Sequence, residues 1–197
     1  MLVPFPEEVA DGVRAGDPDA VGAVYVALSD RLLGYLMARV RDRGVAEDLL
    51  EATFLELLQK GRTIRGGAAS IKVWLFRAAY FNALDHLRKV KRRMEDLTDD
   101  EEALDIVDHG VSSPEDSAIR ADVRRRVRQA MTQLSPEQRQ VLLLRYVAGL
   151  SAPEVGAVLD KSDGAIRSLQ HRAERALAKL LESERESSAP ISGPGTS

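Results

Sequence analysis

The stretch Leu134–Leu181, LSPEQRQVLLLRYVAGLSAPEVGAVLDKSDGAIRSLQHRAERALAKLL, decides the fold. It starts three helices in quick succession. Ser135-Pro136-Glu137-Gln138 offers an N-cap serine, a proline at the first helical position and a glutamine at the third. Ser151-Ala152-Pro153-Glu154 supplies a second, serine-to-glutamate capping box sixteen residues on. Asp160-Lys161-Ser162 makes a short turn, with Ser162 as the next N-cap. A short helix from about Ala152 to Leu159, a three-residue turn and a longer basic helix are the layout of a helix-turn-helix. In the last helix Ile166, Leu169, Ala173, Leu177 and Leu180 recur at steps of three and four and form one apolar stripe. Arg167, Ser168, His171, Arg172 and Arg175 fall off that stripe. The early part of the second helix of such a motif enters the major groove, where arginine reads guanine bidentately and serine contacts any base. Ordinary solvated charge on an amphipathic helix leaves the same pattern, so the layout alone does not assign DNA reading.

Composition bounds the rest. The chain has 197 residues, enough for one domain or two small ones. A hydrophobic share of 44% and a charged share of 30% fit a soluble globular protein, and 5% aromatic content with much Ala, Leu, Arg and Glu favours helices throughout. With no cysteine, disulfides, cysteinyl zinc sites and thiol redox sensing are excluded. His86, His109 and His171 show no ligand spacing, so no metal and no cofactor is expected. MLVPFPEEVADG lacks the basic-then-apolar order of a signal peptide, and no run approaches eighteen apolar residues. The expected location is the cytoplasm.

A net charge of −3 conceals a strong segregation. From Lys60 to Arg93 the cations are Lys60, Arg62, Arg65, Lys72, Arg77, Arg88, Lys89, Lys91, Arg92 and Arg93, and Asp85 is the sole acid. From Met94 to Ile119 there is no Lys or Arg, while acids accumulate from Glu95 to Asp116. Arginine dominates again from Arg120. Two basic blocks joined by an acidic tether suggest two modules acting on a polyanion.

In chain order, a short helix is expected from Glu7 to Arg14, broken by Gly16-Asp17-Pro18. A long helix runs from about Asp19 to Arg41 with Val21, Val24, Leu28, Leu32, Leu36 and Val40 on one face, and Gly44 is expected to end it. The next helix, Val45 to Lys60, carries Leu49, Leu50, Phe54, Leu57 and Leu58, with Glu47, Asp48 and Glu51 suited to the positive end of its dipole or to a docking surface for basic helices. After a Gly/Arg-rich loop, Ser70 is the expected cap of a helix from Ile71 to about Arg93. Trp74 and Phe81, taken alone, are expected in its core rather than stacked on nucleic acid. Its end, Arg88 to Arg93, holds five cations in six residues, which suits phosphates. Residues 94–114 read as a linker with weak helix potential from Glu101 to Val107. A helix from Glu115 to Gln133 restarts structure, and the Ser/Gly/Pro-rich tail is expected to be disordered.

Three segments in this order, AEDLLEATFLELLQ, KVWLFRAAYFNALDHLRKVKRR and LSPEQRQVLLLRYVAGLSAPEVGAVLDKSDGAIRSLQHRA, with an acidic linker between the second and third, carry a resemblance. The chain resembles an RNA polymerase sigma factor of the extracytoplasmic-function (ECF) group, and its Ala/Arg-rich composition and QHRA segment resemble the actinobacterial branch. The resemblance implies an all-α protein of two small helical domains joined by a flexible acidic linker: a sigma region 2 domain at 1–93, a linker at 94–114, a sigma region 4 helix-turn-helix domain at 115–184 and a tail at 185–197. It implies a partner, the RNA polymerase core, whose β′ clamp helices would meet Asp48, Leu49, Glu51, Phe54 and Leu55, and whose β flap would hold the last domain. Promoter DNA is the other implied partner. The −10 element would be opened by Arg65, Lys72, Trp74, Arg77, Asn82, Arg88, Lys89, Arg92 and Arg93. The −35 element would be read by Ser162, Arg167, Ser168, His171, Arg172 and Arg175. The linker would thread toward the active-centre cleft as a mimic of nucleic acid, and an anti-sigma factor is a further implied partner.

Three departures from the family pattern bear on these roles. Glu51-Ala52 stands where Gln-Glu is usual, Tyr80-Phe81 where Arg-Asn is common, and Leu169 where many members have arginine. Two other classes remain open. A helix-turn-helix regulator acting without polymerase would use residues 134–181 and leave the first ninety without a role. A nuclease would need a metal at Asp99-Asp100-Glu101-Glu102, but consecutive acids on a helix point in different directions, and no further ligands stand at helical spacing.

Overall fold

The computed structural model describes residues 5–96 and 117–187, and among them every regular element is helical. The acidic linker, the Asp99–Glu102 cluster, the restart at Ser113–Asp116 and the tail from 188 lie outside the described residues. In chain order the helices are α1 (Glu7–Ala15), α2 (Pro18–Val40), α3 (Arg43–Lys60), α4 (Ala68–Asp96), α5 (Ser117–Gln133), α6 (Pro136–Leu142), α7 (Ala152–Leu159) and α8 (Asp163–Ser187). A 3₁₀ turn, Gly61–Thr63, follows α3, and a π-helical turn, Leu143–Val147, follows α6.

By packing, the chain forms two compact units: Met1–Gly110 with Leu143–Ile166, and Val111–Leu142 with Arg167–Ser197. The first is built on α2. Leu28, Leu32, Tyr35 and Leu36 are fully buried, as are Leu57 of α3 and Ile71, Leu75 and Phe76 of α4, and the Tyr35 and Phe76 rings meet edge to face at 6.0 Å. Among the described residues α2 is the one helix long and apolar enough to cross a membrane, by length and composition. Ser29-Asp30-Arg31 interrupts it, so it holds no run of eighteen apolar residues, as the sequence leads one to expect, and its apolar face is the core of this unit. In the second unit Leu134, Leu142 and Ala173 form a core against which Met131, Ala176, Leu177 and Leu180 pack.

Helix ends follow local chemistry in most places. Asp17 caps α2 by accepting from the Asp19 N–H at 2.9 Å, ahead of Pro18 at the first helical position. Gly16, at φ 81°, closes α1. Ser135 and Gln138 exchange backbone-to-side-chain bonds at 3.1 and 3.3 Å, and Ser151 and Glu154 complete the second capping box.

Two boundaries differ from the sequence reading. Gly44 does not end α2. Arg41 does, in the left-handed conformation at φ 60°, and Asp42 immediately caps α3 by accepting from Val45 N–H at 2.9 Å, which places Gly44 inside α3. Likewise α4 begins at Ala68 rather than after Ser70, because the Glu7 carboxylate of α1 accepts the Ala68 N–H at 3.0 Å. A carboxylate at a helix N-terminus serves as a cap and complements the dipole wherever it comes from in the chain.

The turn between α7 and α8 is tight. Asp160 is left-handed at φ 55°, and Lys161 N–H donates to the Gly156 carbonyl at 3.0 Å. A Cβ on Gly156 would stand 2.6 Å from the Lys161 carbonyl oxygen, which is backbone and cannot swing aside. Gly156→Ala is therefore expected to destabilise the protein by about 1–3 kcal/mol, measured as a lower urea midpoint at unchanged m-value.

Candidate nucleic-acid interface

The helix-turn-helix face is built from two caps and a stripe. Ser162 Oγ accepts the Ala165 N–H at 3.3 Å, so this serine caps α8 while remaining exposed. Ile166, Leu169 and Ala173 are buried, and Arg167, Ser168, His171, Arg172 and Arg175 are exposed on the other side. Leu169, where many relatives of the implied family carry arginine, belongs to the apolar stripe. The structure thus brings the six −35 candidates to one end and one face of a rigid helix. The Gln170 amide, beside that face, donates to Glu174 at 2.7 Å.

α4 presents a second basic surface. Trp74, Arg77, Phe81, Asp85, Arg88 and Arg92 succeed one another at steps of three and four and share one side of the helix. Arg65, Lys89 and Arg93 are exposed nearby in sequence but off that line. Two expected DNA contacts are placed otherwise. Lys72 is only 2% exposed and its ammonium pairs with the Glu154 carboxylate of α7 at 2.8 Å. Asn82 is half-buried, and its amide donates to Thr53 Oγ1 at 3.2 Å and to Glu56 Oε1 at 3.0 Å, tying α4 to α3. Glu56 also accepts from Lys60 at 2.7 Å, and that bond, against a smaller desolvation cost, holds its carboxyl below the usual range with help from Asn82. Trp74 is half-buried, while Phe81, expected in the core, is 44% exposed.

A third surface is apolar. Tyr25, Leu50, Glu51, Phe54, Leu55 and Leu58 line a groove of about 270 Å³ between α2 and α3. The Tyr25 and Phe54 rings pack at 4.9 Å. Leu55, Leu58 and Tyr25 remain nearly half exposed, and Asp48 and Glu51 are exposed acids of the same helix. Of the residues that line this groove, the sequence reading named Glu51, Phe54 and Leu55 as docking candidates and left out Tyr25, Leu50 and Leu58. Tyr25 lies beside the buried stripe Val21-Val24-Leu28, and an apolar residue just off such a stripe was the available signal.

Comparison with known proteins converges on one family. The Sigma-70 region 2 family matches residues 24–93, and the Sigma-70 region 4 family matches residues 124–185. The chain is 33% identical over 168 residues to the RNA polymerase sigma factor CarQ of Myxococcus xanthus, across 85% of this chain and 92% of that one. The chain belongs to the sigma-70 family of RNA polymerase sigma factors, in its ECF group. It is also 35% identical over 174 residues to the ECF sigma factor BldN of Streptomyces coelicolor, and spans 88% of its own length and 65% of that relative's. In fold, this sigma factor is similar to CnrH as solved with the cytosolic domain of CnrY, at a TM-score of 0.65 and 20% identity over 90% of this chain and 97% of that one. As a sigma factor the protein acts with core RNA polymerase on promoter DNA to direct transcription initiation.

The buried Lys72–Glu154 pair sets a pH dependence. Burial pushes the Glu154 carboxyl up, but the Lys72 ammonium and the Ser151 N–H and hydroxyl outweigh it and hold Glu154 below the usual value of 4.5. A carboxyl lowered on folding contributes stability that is present above its unfolded pKa and lost as pH falls through the folded one. Glu154→Gln strands the Lys72 ammonium and is expected to cost about 3 kcal/mol at neutral pH. Urea denaturation of the variant should also lose part of the stability decline that the parent sigma factor shows below pH 5.

Proposed function

We propose that the sigma factor divides its work among the three surfaces. The exposed face of α8, with Arg167, Ser168, His171, Arg172 and Arg175, reads the −35 element in the major groove. The observation that carries this assignment is the separation on that helix: every base-reading candidate is exposed, while Ile166, Leu169 and Ala173 at the intervening positions are buried. Ser162 fixes the helix end and contributes its hydroxyl beside the first turn. The exposed side of α4, with Trp74, Arg77, Arg88 and Arg92 and the neighbouring Arg65, Lys89 and Arg93, recognises and opens the −10 element. Lys72 and Asn82 support that side from within the fold. The groove of α2 and α3, lined by Tyr25, Leu50, Glu51, Phe54, Leu55 and Leu58, docks together with the neighbouring Asp48 and Leu49 of α3 on the β′ clamp helices of the polymerase, and the last domain sits on the β flap.

In this reading the functional domains are 1–93 and 115–184, with residues 94–114 as an acidic tether and 185–197 as a tail. RNA synthesis is the polymerase's chemistry, and the sigma factor contributes binding, base reading and strand capture. It works in the cytoplasm, where its template is. An anti-sigma factor fits as a regulator by analogy with the solved complexes of CnrH with CnrY and of RpoE with the anti-sigma factor NepR from Bartonella quintana.

Run-off transcription with core polymerase and a pool of genomic promoter fragments tests the whole. Discrete transcripts that appear only when the protein is added are expected, and their upstream sequences give both elements. Promoter binding without polymerase, and no co-elution with core, would favour a free-standing helix-turn-helix regulator instead. Two substitutions separate the surfaces. Leu55→Asp puts a charge into the apolar groove and should weaken core binding at least tenfold on a sizing column titration, with α8 untouched. Arg167→Ala should lower discrimination at one −35 base pair by about 1–3 kcal/mol and leave core affinity unchanged.

A further inference from the structure

α1 precedes the residues matched by the region 2 family, which begin at 24, yet it holds the segment that leads into α4. That segment, GRTIRGG at 61–67, is tied to α1 at both ends. At its start Val13 packs on Gly61, where a Cβ would stand 2.8 Å from Val13 Cγ1. At its end the Arg14 guanidinium donates to the Gly66 carbonyl, and the Glu7 carboxylate accepts the Ala68 N–H at 3.0 Å. Between these ties Ile64 is buried and Arg65 is exposed.

Gly67 occupies the N-cap position of α4, its carbonyl accepting from Ser70 N–H at 2.9 Å and Ile71 N–H at 3.3 Å. A serine or aspartate there would satisfy the helix start locally. Glycine has no side-chain oxygen to offer, and the space it leaves is filled by the Glu7 carboxylate, which a Cβ on Gly67 would overlap. Gly66 before it is left-handed at φ 98°. Two successive glycines leave a chain free to take many conformations unless something outside them fixes it. A cap supplied from α1 does what a local one cannot: it satisfies the helix start and also sets its place relative to another element. Arg65 stands two residues before this cap, so its backbone is set by the same ties. A side chain on a segment ordered in advance reaches its ligand without an ordering cost at the moment of binding.

We propose that Glu7 and Arg14 are positioning residues of this sigma factor: without touching DNA, they hold the 61–67 segment so that Arg65 and the first turn of α4 meet the −10 element in one arrangement. The assignment rests on the reading of Arg65 and α4 as part of the −10 surface. Its consequence is selectivity. Arg88, Lys89, Arg92 and Arg93, at the far end of α4, attract phosphates whether or not this segment is ordered. Loosening the segment therefore lowers affinity for the correct −10 sequence, which needs the ordered form, and spares affinity for an incorrect one.

The test uses holoenzyme reconstituted from core polymerase with the parent protein, Glu7→Ala, Glu7→Gln, Gly67→Ala, or Glu7→Ala combined with Gly67→Ala. Two fluorescent single-stranded oligonucleotides are titrated by anisotropy: the non-template −10 strand of a promoter that the parent holoenzyme transcribes, and the same strand with its −10 bases scrambled. The readout is the ratio of the two affinities, which a smaller folded fraction does not change. The ratio is expected to fall roughly fivefold in Glu7→Ala, in keeping with the loss of a helix cap. Glu7→Gln should stay near the parent, because its amide oxygen still accepts the Ala68 N–H. Gly67→Ala should fall with Glu7→Ala, since its methyl displaces the carboxylate, and the combined variant should fall no further, because the methyl then meets nothing. Core co-elution should match the parent in all four. An unchanged ratio in Glu7→Ala, with only a lower urea midpoint, would overturn the proposal and leave Glu7 a cap for stability alone. Additive losses in the combined variant would overturn it too, by showing that the methyl acts on another neighbour. Arg65→Ala separates the proposal from the reading beneath it. A ratio unchanged by Arg65→Ala removes Arg65 from the −10 surface, whereas a ratio lowered by Arg65→Ala and untouched by Glu7→Ala counts against the positioning role by itself.

Discussion

One carboxylate carries an unusual share of the structure. Glu154 closes the capping box of α7 by accepting from the Ser151 N–H at 2.6 Å and hydroxyl at 2.8 Å, and it is also the counter-ion of Lys72, the single buried charge among the described residues. A buried ammonium persists only where an acceptor meets it. A helix of eight residues, too short to hold itself together in water, persists only where its ends are satisfied and its face is packed. Val155, Gly156 and Val158 provide the packing, and the carboxylate that closes the capping box with Ser151 also neutralises the Lys72 ammonium. The requirement for a glutamate, rather than for any capping residue, follows from this double use.

The exposed helix faces obey a different rule. On α8 and α4 the exposed candidate positions alternate with buried ones at helical spacing, so each side chain's direction is fixed by packing on the far side. α3 inverts the arrangement: apolar residues that could have been buried, Leu55 and Leu58, are left at the rim of a groove. Patches of this kind mark places where another protein completes the core. Cations displayed on rigid helices suit a polyanion, and an apolar groove with acids nearby suits a folded partner with basic character.

Much of the architecture was legible in the sequence because its determinants are local. Ser135, Ser151 and Ser162 cap helices through groups three residues away, and the stripes of α2 and α8 follow from period alone. The misreadings have two causes, interaction across the chain and local turns that the sequence does not distinguish. The N-terminus of α4 is capped by Glu7, 61 residues earlier, so no local signal could mark it, and Ser70 looked like the start. Gly44 looked like a stop because glycine usually ends helices, yet Arg41 accepts the left-handed conformation and Asp42 restarts the chain at once. Phe81 and Lys72 exchange the environments that their chemistry suggests. The phenyl ring of Phe81 stays exposed, and a lysine with a carboxylate partner from α7 is buried. The π-helical turn at Leu143–Val147 was likewise invisible, since a run of apolar residues reads the same at periods of 3.6 and 4.4.

The bonds of Asn82 to Thr53 and Glu56 have a consequence for genetics. By spacing, Asn82 is one more polar residue among the basic and aromatic positions of α4, and a screen for lost transcription would score it together with them. Its amide, however, fastens α4 to α3, the helix that lines the apolar groove. On the roles proposed for those two helices, alleles at this codon should therefore be mixed in phenotype, affecting promoter opening and enzyme assembly together. Suppressors that restore them should map to α3 near Thr53 and Glu56 rather than to promoter bases. A cluster of loss-of-function alleles along one helix is thus not evidence of one contact, and allele-specific suppression is the criterion that would divide it.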